Sequence, residues 1–223
     1  MIKIGMWTVP GSCEWFKAIE GMRNPRNSWN KSDSKSKGKN GYFELGKNDL
    51  GLATRLTVAG PEHRKFLRML NAYVTITAPL YWWKEFDTYK VGVVRNSCST
   101  MHKITEHEFT LADFSHDKLS DVTRGWLEQT ISDLNTLRNL YLNATDNKVK
   151  KDYWYEIIQL LPSSYMQRAT VMMSFEALIN IYFQRRYHKL EEWHVFCKEI
   201  ETIPWFKEIL DESEEESRRI HVL

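Results

Sequence analysis

The sequence predicts an α+β fold, rich in helix and carrying a small sheet. Apolar residues recur at three- and four-residue spacing over most of the second half, whereas strictly alternating stretches are few and short. The chain's 223 residues, 42% hydrophobic and 27% charged, suffice for one domain with its own core. We expect a single domain over 1–210 and an acidic tail over 211–223, where Asp211, Glu212, Glu214, Glu215 and Glu216 cluster.

Met1 to Pro10 alternates apolar and polar positions and reads as a strand that stops at the proline. Residues 24–41 are rich in Asn, Ser, Lys and Gly, too polar to repay ordering, and predict a mobile basic loop suited to phosphate contact. From Arg23 to Lys39, Arg23, Arg26, Lys31, Lys35, Lys37 and Lys39 stand against Asp33 alone. A strand is expected over Leu52 to Val58. After Gly60-Pro61, the recurrence of Phe66, Leu67, Leu70, Tyr73, Val74 and Thr77 predicts an amphipathic helix halted by Pro79. A further short strand is placed between Tyr89 and Val94.

Leu119, Val122, Trp126, Leu127, Ile131, Leu134, Leu137 and Tyr141 then line one face of a long helix ending near Asn143. A helix through Tyr153, Trp154, Ile157 and Ile158 ends at Pro162. Ser163-Ser164 are read as the cap of the next helix, with Val171, Met172, Phe175, Leu178, Ile179 and Tyr182 as its stripe. The last helix carries Leu190, Trp193, Phe196, Cys197 and Ile200 before Pro204.

A net charge of +2 lacks the concentrated basic excess of a nucleic-acid binder. Cys13, Cys98 and Cys197 have no zinc-like or redox-like spacing, which fits a reduced, cytoplasmic setting. No window approaches eighteen apolar residues, so no membrane partner is expected. The phosphate-loop, dinucleotide-fingerprint and nucleophile-elbow motifs are missing.

Four groups of residues remain as candidates for chemistry. His188 and Glu192 share a helical face, but His194 falls off it, so a metal site lacks converging donors. Cys98 lies between Ser97 and Ser99 with Arg95 and His102 nearby, yet a nucleophilic thiol needs a base or cation held against it. Asn180, Arg185 and Arg186 form the third group: they either frame a pocket whose guanidinium grips a phosphate or carbonyl edge, or are a surface pair favoured by the helix dipole. The fourth is Tyr81 to His102, which mixes aromatic bulk with small hydroxylated residues; Trp82, Trp83 and Tyr89 are either stacking surfaces for a planar ligand or core.

Two segments in order carry a family resemblance. One runs from Leu161-Pro162 through Ser174-Phe-Glu-Ala-Leu-Ile-Asn180-Ile-Tyr-Phe-Gln-Arg185 to Glu191-Glu-Trp193; the other comprises Ala78-Pro79, Thr88-Tyr89-Lys90 and Asn96-Ser97-Cys98-Ser99-Thr100-Met101-His102. Together they resemble the flavin-dependent thymidylate synthases over about 62–203. That family reads Arg-His-Arg where this chain has Thr88-Tyr89-Lys90, and Glu85 stands where a glutamine is usual. Asn96 and Ser99 keep the family's residues; Met101 stands where an arginine is expected.

The resemblance implies methylation of dUMP to dTMP, with FAD as cofactor, methylenetetrahydrofolate and NADPH as co-substrates, and a homotetramer. It gives Arg185 and Ser99 catalytic roles, places Asn180, Lys90, Tyr89 and Glu85 toward the cofactor, and sets Asn96, Ser99, Arg185 and Arg186 on the substrate. Losing arginines from the signature exchanges planar forks of donors for a single point charge at Lys90. The same fold used as a non-catalytic nucleotide-binding or protein-interaction module is the alternative.

Overall fold

The computed structural model describes the backbone of residues 1–37 and 42–221. The described residues form eight α-helices and six strands, an α+β architecture dominated by helix. The main sheet has the order β1 (Lys3–Ile4), β4 (Asn71–Pro79), β6 (Met166–Ser174), β5 (Val93–Ser97). Its pairing is antiparallel throughout. Gly5 N–H donates to Thr75 and Phe175 N–H to Leu70, while Cys98 N–H donates to Arg168 and Ser174 N–H to Gly92, all at 2.8–2.9 Å.

The chain divides into two compact units, one of residues 1–3, 76–88 and 96–170, the other of 4–75, 89–95 and 171–223. In the first, α3 (Leu80–Phe86) buries Trp82, Trp83 and Phe86. The long helix α4 (Asp121–Asn143) starts at Ser120, whose hydroxyl accepts the Thr123 N–H. Asp146 caps α5 (Asn147–Leu160) the same way, through Lys148 and Val149. These helices pack together, with Leu127, Ile131, Leu134 and Ile157 joining Ile104, Phe109 and Phe114 in one core. Both helices form where the apolar spacing places them.

In the second unit, α1 (Ser12–Arg23) buries Trp15, Ala18, Ile19 and Met22 at helical spacing. Trp15 lies flat on Phe43 of strand β3 (Tyr42–Glu44), ring centroids 5.3 Å apart, and meets Phe175 edge-on at 5.7 Å. Helix α2 (Lys47–Val58) packs along α8 (Phe206–His221). Ser174, the last residue of β6, caps α6 (Phe175–Arg185), and α7 (Glu191–Ile200) buries Trp193, Phe196, Cys197 and Ile200.

Several segments differ from the sequence reading. Where a helix was expected through Thr77, only Lys65–Arg68 turns, as a short 3-10 helix, and residues 71–79 are strand β4. Ala72, Val74, Ile76 and Ala78 are buried while Tyr73 is exposed, so the alternation had period two, favoured by Val74, Thr75, Ile76 and Thr77. The stripe assigned to a helix from Val171 likewise begins as β6, in which Ala169, Val171 and Met173 are buried, and turns helical only after Ser174. Ser163 and Ser164 cap no helix. Conversely, 52–58 is helix α2, not strand: Thr54 and Thr57 donate their hydroxyls to the carbonyls four residues back, so both side-chain donors are satisfied within the helix. The strand placed at Tyr89 to Val94 begins later, at Val93.

The expected loop at 24–41 is also built. Asn24–Arg26 and Trp29–Lys31 are 3-10 turns, and Lys35–Lys37 is strand β2, paired with β3; residues 38–41 lie outside those described. A buried ion pair organises this segment. Arg23 reaches Asp49 of α2 at 2.5 Å, and its remaining donors hold the Ser28 and Lys31 carbonyls at 3.1 Å. The Asp49 carboxylate also takes the Ser32 and Ser34 hydroxyls and the Asp33 and Ser34 N–H groups. Burial pushes the Asp49 carboxyl up, but these hydrogen bonds outweigh it and hold it below the usual carboxylate range. The acidic stretch continues α8 through His221, with Ile209, Leu210 and Ser213 buried.

Candidate functional site

Helix α6 is aimed by the strand that feeds it. Ser174 Oγ accepts the Ala177 N–H at 3.2 Å, fixing the first turn, and Ser174 N–H donates to Gly92 at 2.8 Å. Gly92 has φ +72°, and a Cβ there would run into the Ser174 hydroxyl, so glycine is required on both counts. From that start Glu176, Asn180 and Gln184 follow at intervals of four and form one polar row along the helix.

At the first end of the row, Glu176 holds two arginines. Arg64 Nε donates to it at 3.0 Å, Arg68 donates through Nε and again through a terminal nitrogen at 3.2 Å, and Arg64 extends to the Asn180 side-chain oxygen at 3.3 Å. Burial pushes the Glu176 carboxyl up, but Arg68 and Arg64 more than compensate and hold it below the usual range.

At the far end stands Tyr89. Its hydroxyl donates to Gln184 Oε1 at 3.0 Å and accepts from Arg185 Nε at 2.8 Å. The Arg185 guanidinium lies 4.8 Å from the Trp193 ring centre and 5.5 Å from that of Tyr89, a cation held over two aromatic rings. His188 meets the same Trp193 edge-on at 6.4 Å. The arrangement offers amide groups, a planar cation and aromatic surface, the set suited to the polar edge and ring of a nucleobase or to a phosphate.

The predicted residues are thus partly assembled. Asn180 belongs to this row and Tyr89 meets its far end at Gln184, holding Arg185 beside it, although five residues of helix place Asn180 with Arg64 and Arg185 with Tyr89, not both in one grip. Arg186 stacks beside the Tyr182, Phe183 and Tyr187 rings at 5.0–5.6 Å. Lys90 is exposed. Glu85, Asn96 and Ser99 lie in the other unit. There Ser99 Oγ accepts the Met101 and His102 N–H groups at 3.2 and 3.0 Å, tying its own turn, and Thr88 donates its hydroxyl to the Glu85 carbonyl at 2.7 Å.

Trp82 and Trp83 are core, at 0% and 2% exposure, with Trp83 Nε1 donating to Gln167 O at 2.9 Å, so neither offers a face to a ligand. His188 Nδ1 accepts the Leu190 N–H, and His194 Nε2 lies 2.7 Å from the His188 carbonyl. No group of three or more metal-type donors occurs among the described residues, and no described helix is long and apolar enough to cross a membrane. Cys98 is exposed, whereas burial raises the Cys197 thiol to about 12. Sequence reading missed Arg64, Arg68 and Glu176, whose signal was present as an Arg-Arg spacing of four and a glutamate four residues before Asn180.

No protein-family model and no curated protein sequence matches the chain. Solved structures do. A crystal structure of thymidylate synthase X from Helicobacter pylori with FAD and dUMP is 17% identical, with a TM-score of 0.62 over 95% of this chain and 98% of that one. A flavin-dependent thymidylate synthase ThyX from the same organism, complexed with FAD and dUMP, gives 0.60 at 17% identity over 91% and 93%. The chain has the thymidylate synthase X fold.

Proposed function

We propose that the chain is a divergent flavin-dependent thymidylate synthase-like protein that binds dUMP and methylates it to dTMP. The observation that carries the reading is the guanidinium of Arg185, which shares α6 with Asn180 and is fixed by Tyr89 and Trp193, in a fold that matches the Helicobacter enzyme nearly end to end. In this reading Arg185 contacts the base or phosphate of dUMP, with Arg186, Asn96 and Ser99 as further substrate contacts. Asn180, Tyr89, Lys90 and Glu85 face the flavin, which when bound would supply the hydride, with methylenetetrahydrofolate giving the one-carbon unit and NADPH the electrons. The residues present fit such a ligand set: amides at Asn180 and Gln184 for a carbonyl or imide edge, a cation at Arg185, and an exposed Lys90 for phosphate. The family's homotetramer and a cytoplasmic setting belong to the same reading.

The test is a visible spectrum of the purified chain with and without added FAD, paired with calorimetric titration of dUMP. Flavin absorbance and dUMP binding, weakened about tenfold or more in Arg185→Ala, are the expected results. A colourless protein that takes up no FAD and no dUMP would overturn it.

One observation favours a second reading, a nucleotide-binding protein without the reaction. Thr88, at the first arginine position of the family signature, has its hydroxyl turned to the Glu85 carbonyl. That leaves the signature with Lys90 as its one cation. Binding of dUMP by a protein that takes up no FAD would select this reading.

A further inference from the structure

A second cluster of cations lies away from the α6 row, at the segment the sequence marked as basic. The two 3-10 turns after α1 and the first half of α2 enclose a cavity of about 630 Å³. Arg26, Lys31, Lys47 and Arg55 line it, and all four are exposed. Among the described residues none of the four makes an ion pair. The remaining lining is largely amide and hydroxyl, including Asn27, Asn30 and Asn48.

Two carboxylates of the same segment are already engaged. Asp49 is closed inside the Arg23 pair and its four further donors. Asp33 accepts the Asn48 and Asp49 N–H groups at 2.9 and 3.1 Å, occupying the first turn of α2. Neither carboxylate makes an ion pair with the four lining cations among the described residues. Its wall is also fixed in place: the buried Arg23 straps the Ser28 and Lys31 carbonyls, and Asn27 adopts a left-handed conformation, φ 48°, closing the first turn. A rigid loop presenting several cations and amides is a preorganised receptor for multiple negative charge.

We propose that this cavity binds a polyphosphate chain of two or more phosphoryl groups, either as the inorganic anion or as the polyphosphate of a nucleotide. One phosphate group carries a charge of about −2 at neutral pH, so two or more phosphoryl groups are needed to match four cations. The lining contains no aromatic residue to stack a base, so the phosphoryl groups carry recognition. The volume lies within the range of small-ligand sites.

The experiment is calorimetric titration of the full chain with inorganic tripolyphosphate and, separately, with uridine triphosphate. Saturable binding of tripolyphosphate at one site per chain is expected, weakening steeply with salt. It should fall at least tenfold in the Arg26→Gln/Lys47→Gln variant and less than twofold in a Lys198→Gln/Lys207→Gln control. Equal affinity for the two ligands would identify the free polyphosphate as sufficient, and a tenfold preference for the nucleotide would add a nucleoside contact; both support the site. Absence of saturable tripolyphosphate binding would overturn it, as would equal weakening in the two variants. So would binding of a single-stranded oligonucleotide through Arg26 and Lys47 with none of tripolyphosphate. Arg55→Gln, about two turns along α2 from Lys47 and away from the Arg26 turn, should weaken tripolyphosphate binding by itself and guards against a local folding defect.

Discussion

Tyr89 is the residue on which the α6 site turns. Its hydroxyl uses both its donor and its acceptor capacity, toward Gln184 and Arg185, and its ring backs the same guanidinium. Tyr89→Phe keeps the ring and leaves Arg185 Nε and Gln184 without that partner, so dUMP affinity should drop by a factor of about 3–10 while the fold persists. Titration calorimetry beside a thermal melt separates the two, and unchanged affinity would detach Tyr89 from ligand positioning. Asn180, Arg185 and Tyr89 could be singled out as candidates because residue type and spacing are local signals. It did not expose that Arg64 and Glu176, 112 positions apart, would meet, since that contact depends on how distant segments fold back.

Strand and helix were confused wherever β-branched and apolar residues ran together. Helices α4, α5 and α7 were legible, because their apolar stripes run at helical spacing with polar residues between them. β4 and β6 were not, because β4 follows a 3-10 turn and β6 runs straight into α6, and in each case the combined string satisfies a helical count over its length. The junction after β6 is tested by Gly92→Ala, which meets both the Ser174 hydroxyl and a disfavoured φ and should cost about 1–3 kcal/mol in denaturant unfolding. Ser174→Ala removes only the cap and should cost about 1 kcal/mol. At the other organising point, Asp49→Ala strands Arg23, 4% exposed, and should cost about 3–5 kcal/mol. A loss under 1 kcal/mol would show the segment to be held by other means.

Acid sensitivity of the whole chain follows from its held-down carboxyls. Asp49 and Glu176 both sit below their ordinary values when folded, so each adds stability that is present above the unfolded carboxylate pKa of about 4 and is lost as pH falls through the folded value. Urea midpoints should therefore be flat from neutrality to about pH 5 and fall below it. The slope should be shallower in Glu176→Gln; an identical slope would mean that its arginines do not stabilise the charged form. The Ser174 cap has one more consequence, for folding order. Because the residue that starts α6 also ends β6, the helix inherits its phase from the strand's register. Each residue of slip would rotate the Glu176–Asn180–Gln184 row by about 100° about the helix axis. The row can face its partners only after chain segments near 70, 92 and 174 have found one another, so ligand competence should be among the last properties to appear on refolding.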